Sequence, residues 1–483
     1  MGGYTKKDLF LAVDQGGHAS RAFIYNSEGK LLAQAEHTLE TFRPRNGFVE
    51  HDPRQLLASI KNSISDAISQ VDNPQDLVSA GLATQRANIV CWDKETGEAL
   101  SPVISWQDTR GHELLEDLKP SAVEIHMRTG LFLSAHYGAS KLRWCLDNLQ
   151  EVRSALKKDQ LCLGPMSSFL IWHLTQERPF VSDPVSASRT QLWNISQNNW
   201  DDELLDLFGV PRSLLPDCVP NRYKFGSITL NEGSIPLVLV TGDQSAAIFS
   251  HGKLDPETAY INIGTGAFLS RPTGSSYVTG RRLLSSIVYQ QNDEPQYVLE
   301  GTVNGAGSAV EWAEETFDIK KLWDKLPGWL KKVKKPPLFI NGISGLAAPY
   351  WIPDFESEFI SEGNVKEKVV AVVESIVFLI HSNISETSKH VPAPKLILVT
   401  GGLSRLDGLC ERLADLTQLQ VHRSGETEAT AKGTGYLLTE THGSWPKKEK
   451  GKTFVPAANR GIAFRFRAWE EVMLERMRKN QSS

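Results

Sequence analysis

The chain has 483 residues, 40% hydrophobic and 23% charged, which is enough for more than one globular domain; two large ones are expected. A net charge of −5 gives no global pull toward nucleic acid or an anionic membrane. Five scattered cysteines (Cys91, Cys145, Cys162, Cys218, Cys410) with no Cys-x-x-Cys fit reduced thiols better than a disulfide framework or a zinc site. No charged-then-apolar leader is evident, and the richest apolar run, Val369 to Ile380, is short for a membrane span and broken by Glu374. A cytoplasmic protein without nucleic-acid or membrane partners is therefore expected.

In chain order, the first predicted strand is Leu9 to Val13. It enters Asp14-Gln15-Gly16-Gly17-His18-Ala19-Ser20-Arg21 and leaves as Ala22 to Tyr25, a β-hairpin whose turn carries an acid, paired glycines and an arginine. Glycines there permit positive φ and close approach of a ligand, and turn N–H groups can point at an anion. Arg21 would add a planar donor for phosphate oxygens, and Asp14 a carboxylate for hydrated Mg²⁺. The same residues also read as a plain tight hairpin with a solvated arginine.

Leu31 to Thr38 is a further strand. Asp52-Pro53 then starts a helix carrying Leu56, Leu57, Ile60, Ile64 and Ile68 on one face. Leu77 to Ala83, Ile89 to Trp92 and Val103 to Trp106 read as strands, the last running into Gln107-Asp108-Thr109-Arg110. Residues 121–200 are mostly helical, including Lys141 to Leu149 and Ser167 to Leu174, and 201–235 are rich in loops. Strand Pro236 to Val240 enters Thr241-Gly242-Asp243-Gln244, where Asp243 reads equally as a helix N-cap or as a ligand-facing acid.

Near residue 254 the plan restarts: strand Thr258 to Ile263, turn Gly264-Thr265-Gly266, strand Ala267 to Arg271. Two such hairpins facing across a cleft would hold a polyphosphate from both sides. Gly305-Ala306-Gly307-Ser308 opens a helix, and Lys320 to Lys335 is amphipathic with a solvated basic face. Val365 to Ser388 is a long helix, and strand Lys395 to Val399 ends in Thr400-Gly401-Gly402, the kind of strand end where α/β folds bind nucleotides. Thr430 to Leu438 is a small-residue helix, Lys447 to Lys452 a basic loop, and Trp469 to Met477 a terminal helix. Alternating strands and helices give an α/β fold class.

The ordered set of acid-glycine hairpin, Thr84-Gln85-Arg86, Trp106-x-Asp108-x-Arg110, Gly242-Asp243-Gln244 and two later glycine turns resembles the FGGY carbohydrate kinases, and their glycerol kinase branch most closely. Gly47 to Pro53, Ala348-Pro349-Tyr350-Trp351 and Glu300-Gly301 agree, so the resemblance runs from about residue 8 to 440. It implies two actin-like (ribonuclease H-like) domains flanking a cleft: residues 1–250 for substrate and phosphate loop, 251–440 for nucleotide, and an extension at 441–483. It implies ATP and Mg²⁺ as cofactors and phosphorylation of a hydroxyl of a small polyol or sugar, with a homodimer as the alternative to a monomer. Asp243 would be the general base. Asp14 and Asp243 would serve the metal. The acceptor would meet Arg86, Trp106, His136, Tyr137, Asp243, Gln244 and Phe268. The nucleotide would meet Gly16, Gly17, Ser20, Arg21, Gly264, Thr265, Gly307, Glu311, Gly401 and Gly402.

The departures from that pattern carry information. Ala87 replaces a glutamate that binds glycerol hydroxyls, a loss of about 1.5–3 kcal/mol that also leaves room for a longer polyol or ketose. His136 aligns with a substrate-contacting tyrosine, with Tyr137 beside it. Glu311 stands for glutamine and Leu406 for a nucleotide-contacting asparagine. In the opening turn Gly17, His18 and Ala19 occupy hydroxyl positions, and His18 either donates to phosphate or fills the turn. A catalytically impaired homologue acting as a sugar-binding or regulatory protein is the competing reading. An actin-like ATPase assembly would leave Arg86, Trp106 and Gln244 unexplained.

Overall fold

The computed structural model describes residues 7–230, 233–439 and 451–481. Strand β1 (Leu9–Gln15) is buried along its whole length. Leu9, Leu11 and Val13 join one hydrophobic cluster and Phe10 and Ala12 another. A strand covered on both faces needs no polar alternation, which is why it reads as an unbroken apolar run. β2 (Ala19–Asn26) and β3 (Leu31–Thr38) continue as an antiparallel meander. Helix α1 (Pro53–Ile68) starts where expected: Asp52 accepts from the N–H groups of Arg54 and Gln55, and Leu56, Ile60 and Ile64 are buried. β4 (Leu77–Thr84) pairs in parallel with β1.

β5 (Ile89–Asp93) and β6 (Val103–Ile104) join Glu50–His51 and Leu161–Pro165 in a small separate sheet, next to helix α2 (Gly138–Asn148). The strand expected to reach Trp106 stops at Ile104. Beyond it, the Ser105 carbonyl and the Trp106 N–H bond side chains instead of a neighbouring strand. β7 (Arg222–Thr229) and β8 (Ser234–Gly242) return to the large sheet, whose order is β7-β8-β4-β1-β2-β3. Helix α3 (Asp243–Ile248) follows directly.

The second half repeats the plan. β9 (Thr258–Ile263) and β10 (Ala267–Gly274) form an antiparallel hairpin, then come β11 (Leu284–Gln291), β12 (Glu294–Val303) and helix α4 (Gly307–Thr316). Helix α5 (Val365–Thr387) is long and apolar enough to cross a membrane by length and composition, with mean hydropathy 1.5, but 89% of that window is buried inside the protein. Glu374, which interrupts its apolar run, pairs with Arg412 and Arg465. β13 (Leu396–Thr400), helix α6 (Asp407–Thr417) and β14 (Gln420–Ser424) complete a sheet ordered β11-β12-β10-β9-β13-β14 and closed by one further strand. In both sheets a hairpin (β1–β2, β9–β10) has its first strand paired in parallel with a later strand, β4 or β13.

Helix α7 (Ala429–Thr439) leaves this second sheet and packs on the first, against β1, β4, β8 and α3. Gly433 makes that possible, since a Cβ there would lie 1.8 Å from the Ala246 carbonyl oxygen. The expected basic loop 447–452 lies outside the described residues up to 450. Residues 451 and 452 open β15 (Gly451–Phe454), which pairs with β14. The terminal helix is longer than expected: α8 (Arg460–Gln481) buries Ile462, Trp469 and Met473 in the second core. The stretch 451–481 thus belongs to the second sheet and its cover.

Candidate active site

The register across β1, β4 and β8 places the acids. Asp14 pairs with Ala83, and Ala83 with Thr241, so Asp14 and Thr241 lie in one row with β4 between them. Asp243 follows two residues on. It is the first residue of α3, not its cap: Gly242 caps the helix without a side chain, and the Asp243 carboxylate accepts from the Gln244 N–H at 2.7 Å. The N-cap alternative is thereby overturned, and Asp243 faces a cavity of about 170 Å³ with Arg86, Gln244, Phe268, Glu300 and Thr400 in its wall. Burial raises the Asp243 pKa, opposed by Arg86, the Gln244 N–H and Arg189. For Asp14, burial and the facing charge of Asp243 push the pKa to about 7 against the pull of Arg21.

The opening turn differs in detail from expectation. Neither Gly16 nor Gly17 has a positive φ. Space is the requirement: a Cβ on Gly17 would come 2.9 Å from Gln85 Nε2, and one on Gly16 3.2 Å from the Ala19 carbonyl. Gly16 N–H donates to that carbonyl, closing the turn. Asp14 lies opposite Arg21 and Gln15 opposite Ser20, and facing partners on an antiparallel pair share a side of the sheet. Asp14 and Arg21 therefore share one side, where Arg21 also meets Glu36 and Glu428. Ser20 is on the other, fully buried, its hydroxyl 2.8 Å from that of Ser59 on α1. The Ser20 side chain thus packs toward α1, and only its backbone is left for an anion at the turn.

Arg86 bonds Gln244 and lies 3.5 Å from Glu300. Gly242 gives it room, since a Cβ there would be 2.6 Å from the Arg86 stem. Glu300, on β12, also bonds Arg189 and accepts from Ser286 at 2.7 Å. Burial would raise the Glu300 pKa, but Arg189 and Arg86 outweigh it and hold the carboxyl at about 2. Tyr137 hydrogen-bonds Arg189, and burial raises its pKa. Nothing in the sequence marks Arg189: Ser188-Arg189-Thr190 lies in the mostly helical stretch 121–200 with no flanking glycine turn. Glu300 is marked only by its place in Glu300-Gly301. Phe268, exposed at 39%, lines the cavity with Arg86 and Glu300, while Trp106, exposed at 38%, lies outside that lining beside His136. The His136 imidazole lies 3.0 Å from the Trp106 carbonyl oxygen. Burial lowers its pKa, opposed by that bond and assisted by Lys141. Asp108 and Arg110 pair with each other and, through the Val49 N–H and Glu50, hold the loop from behind.

The second turn is built tightly. Gly264 N–H donates to Gly266, and Gly307 N–H to the Gly264 carbonyl at 2.9 Å. A Cβ on Gly307 would sit 2.6 Å from that oxygen, so α4 starts against the turn only because residue 307 is glycine. Ser308 N–H donates to the Thr265 carbonyl. Glu311 is exposed one turn further along α4. Gly401 has φ +89 and lies against Ile263, while a Cβ on Gly402 would meet open space. Leu406 is buried in the second core.

Two family models cover most of the chain. Residues 9–250 match the N-terminal domain of the FGGY family of carbohydrate kinases, and residues 259–438 its C-terminal domain. The chain belongs to this FGGY family. Glycerol kinases from Shewanella piezotolerans and Rhizobium rhizogenes are both 32% identical to it, over 91% and 93% of this chain and 92% of each relative. Among solved structures, glycerol kinase of Plasmodium falciparum with ADP superposes with a TM-score of 0.89 at 23% identity, covering 97% of this chain and 98% of that one. Xylulose kinase of Lactobacillus acidophilus superposes at 0.83 and 19% identity, covering 96% and 97%. The FGGY chain is therefore a two-domain kinase with an alcohol acceptor, ATP as phosphate donor and the actin-like architecture expected for it.

Proposed function

We propose that this kinase phosphorylates a hydroxyl of a small polyol or sugar larger than glycerol, with Asp243 as general base. The observation that carries the reading is Asp243 at the start of α3, facing the cavity beside Arg86, two residues beyond the row that holds Asp14. An alcohol is a poor nucleophile, and a carboxylate within reach accepts its proton as the O–P bond forms. Burial makes that carboxylate more basic, opposed by Arg86, the Gln244 N–H and Arg189. Arg86, Gln244 and Tyr137 orient the acceptor's hydroxyls; Trp106, His136 and Phe268 wall its carbon chain. Ala87, in place of a hydroxyl-binding glutamate, favours a longer acceptor.

On the donor side, backbone groups of Gly16, Gly17, Gly264 and Thr265 and the Arg21 guanidinium face the phosphates. Gly307, Glu311, Gly401 and Gly402 lie along the nucleotide, and Ser20 contributes through its backbone alone. Asp14 and Asp243 fit Mg²⁺: they are hard oxygen donors, close enough that the charge of Asp243 adds to burial in raising the Asp14 pKa. When bound, the ion offsets charge on the transferring phosphoryl group. A cytoplasmic location and a monomer or homodimer complete the reading.

The test is a coupled ADP-release screen over glycerol, erythritol, pentitols and ketopentoses, with Asp243→Asn as control. Turnover of a four- or five-carbon acceptor, lost in the variant, supports the reading; undiminished turnover in the variant removes Asp243 as base. One observation favours an impaired, sugar-binding protein instead: among the residues of the opening turn, no side-chain hydroxyl is left for phosphate. Calorimetry showing polyol binding without Mg-ATP binding would select it.

A further inference from the structure

Lys141, in the second turn of α2, is fully buried and forms no ion pair within 4 Å among the described residues. Its ammonium donates to the carbonyls of Ser105 at 2.7 Å and Ala87 at 3.2 Å. Those carbonyls belong to two separate loops. Ala87 follows Arg86 after β4, and Ser105 precedes Trp106 after β6. Ala87 has a left-handed φ of 62, and β6 has already ended at Ile104. Beyond it the Trp106 loop is tied to the 47–49 segment by the Ser105 N–H on the Val49 carbonyl, but among the described residues it has no such backbone bond to the Arg86 loop. From the other side Asn88 joins the same loops, its Oδ1 accepting from the Trp106 N–H at 2.7 Å and its amide donating to Gln85. Gln85 in turn packs against Gly17 of the phosphate turn. Helix α2 also starts directly after His136 and Tyr137, so the lysine follows closely on two side chains proposed above for the acceptor.

We propose that Lys141 is a positioning residue for the acceptor: it clamps the Arg86 and Trp106 loops at a fixed separation, setting how the polyol or sugar is held without touching it. This rests on the kinase reading above. A buried lysine has no stabilising role that an apolar side chain would not fill better, unless its donors are used. Here they are used on two carbonyls, one in each loop, the Ser105 carbonyl accepting from the Asp108 N–H as well. The nucleotide turns at Gly16 and Gly264 receive no bond from it, so its loss should fall on one substrate.

The test is steady-state kinetics of Lys141→Met and Lys141→Arg with the best acceptor from the screen. Lys141→Met keeps length and volume but donates nothing; KM for the acceptor should rise tenfold or more while KM for Mg-ATP stays within twofold. Lys141→Arg keeps donors for both carbonyls and should recover most of the acceptor affinity. If the methionine variant does not fold, the arginine variant carries the test, with a smaller rise confined to the acceptor. Equal rises in both KM values, or none in a folded variant, overturn the clamp. A wild-type chain inactive with every acceptor overturns the kinase reading and the clamp together, and is told apart because no variant is needed to see it.

Discussion

Asp14 and Asp243 sit on neighbouring ends of one sheet, and their proximity has consequences that separate the two. With burial and Asp243 holding Asp14 near pKa 7, its ionised form is disfavoured in the folded protein. The sign follows: an acid whose folded pKa is raised loses stability as pH climbs from its unfolded value near 4 through 7. Asp14→Asn should therefore melt several degrees higher than wild type at pH 8, without nucleotide, and equally at pH 4, while turnover collapses. A pH series of melting curves checks it. Asp243→Asn should lower kcat by about 10²- to 10⁴-fold, the usual contribution of a general base, with the protein still folded by circular dichroism. At residue 87 the backbone is already left-handed, so Ala87→Glu adds little strain. It should shift relative kcat/KM toward glycerol over a pentitol by about tenfold or more, read by competition between the two acceptors.

Elements show why some of this site can be read from the residues and some cannot. Glycine pairs after apolar strands announce both phosphate turns, because close packing there excludes a Cβ: 2.9 Å at Gly17, 2.6 Å at Gly307. Asp52-Pro53 announces α1 because capping is local chemistry. Strand alternation turns the Ser20 side chain to the opposite side of the sheet from Arg21, where it meets Ser59. Arg189 and Lys141 carry no local pattern; their importance comes from partners about 50 to 110 residues away, Glu300 and Ala87. Nor does the periodicity of α7 say which sheet it covers. Its contact with α3 can be tested: Gly433→Ala would drive a methyl into the Ala246 carbonyl. Overpacking of this kind costs about 1–3 kcal/mol. The variant should melt lower and, because α3 carries Asp243, lose kcat beyond what a distant destabilising change causes.

Across the whole molecule, Glu300 joins the two halves in the wall of the cavity. It extends from the second sheet to Arg86 and Arg189 of the first half. Removing one partner of a buried charged cluster leaves the rest uncompensated, at about 3–5 kcal/mol. Glu300→Ala should lower the melting temperature and raise KM for the acceptor through a displaced Arg86. Glu300→Gln, which keeps shape and one acceptor oxygen, should do less of both. Differential scanning calorimetry with acceptor titration separates these effects.

Helix α7 bears on how such a chain can be cut or recombined. All but the last of its residues fall within the second family domain, yet they cover Phe10, Ala12 and Leu239 of the first sheet, and Arg222 of β7 donates to the carbonyls of Leu437 and Leu438. A fragment ending near residue 250 would leave that face open to water and to other chains. A chimaera joined at the same point with a related kinase would pair one parent's sheet with the other parent's helix. A workable crossover has to exchange two separated segments at once, so the natural module boundary here is discontinuous in sequence.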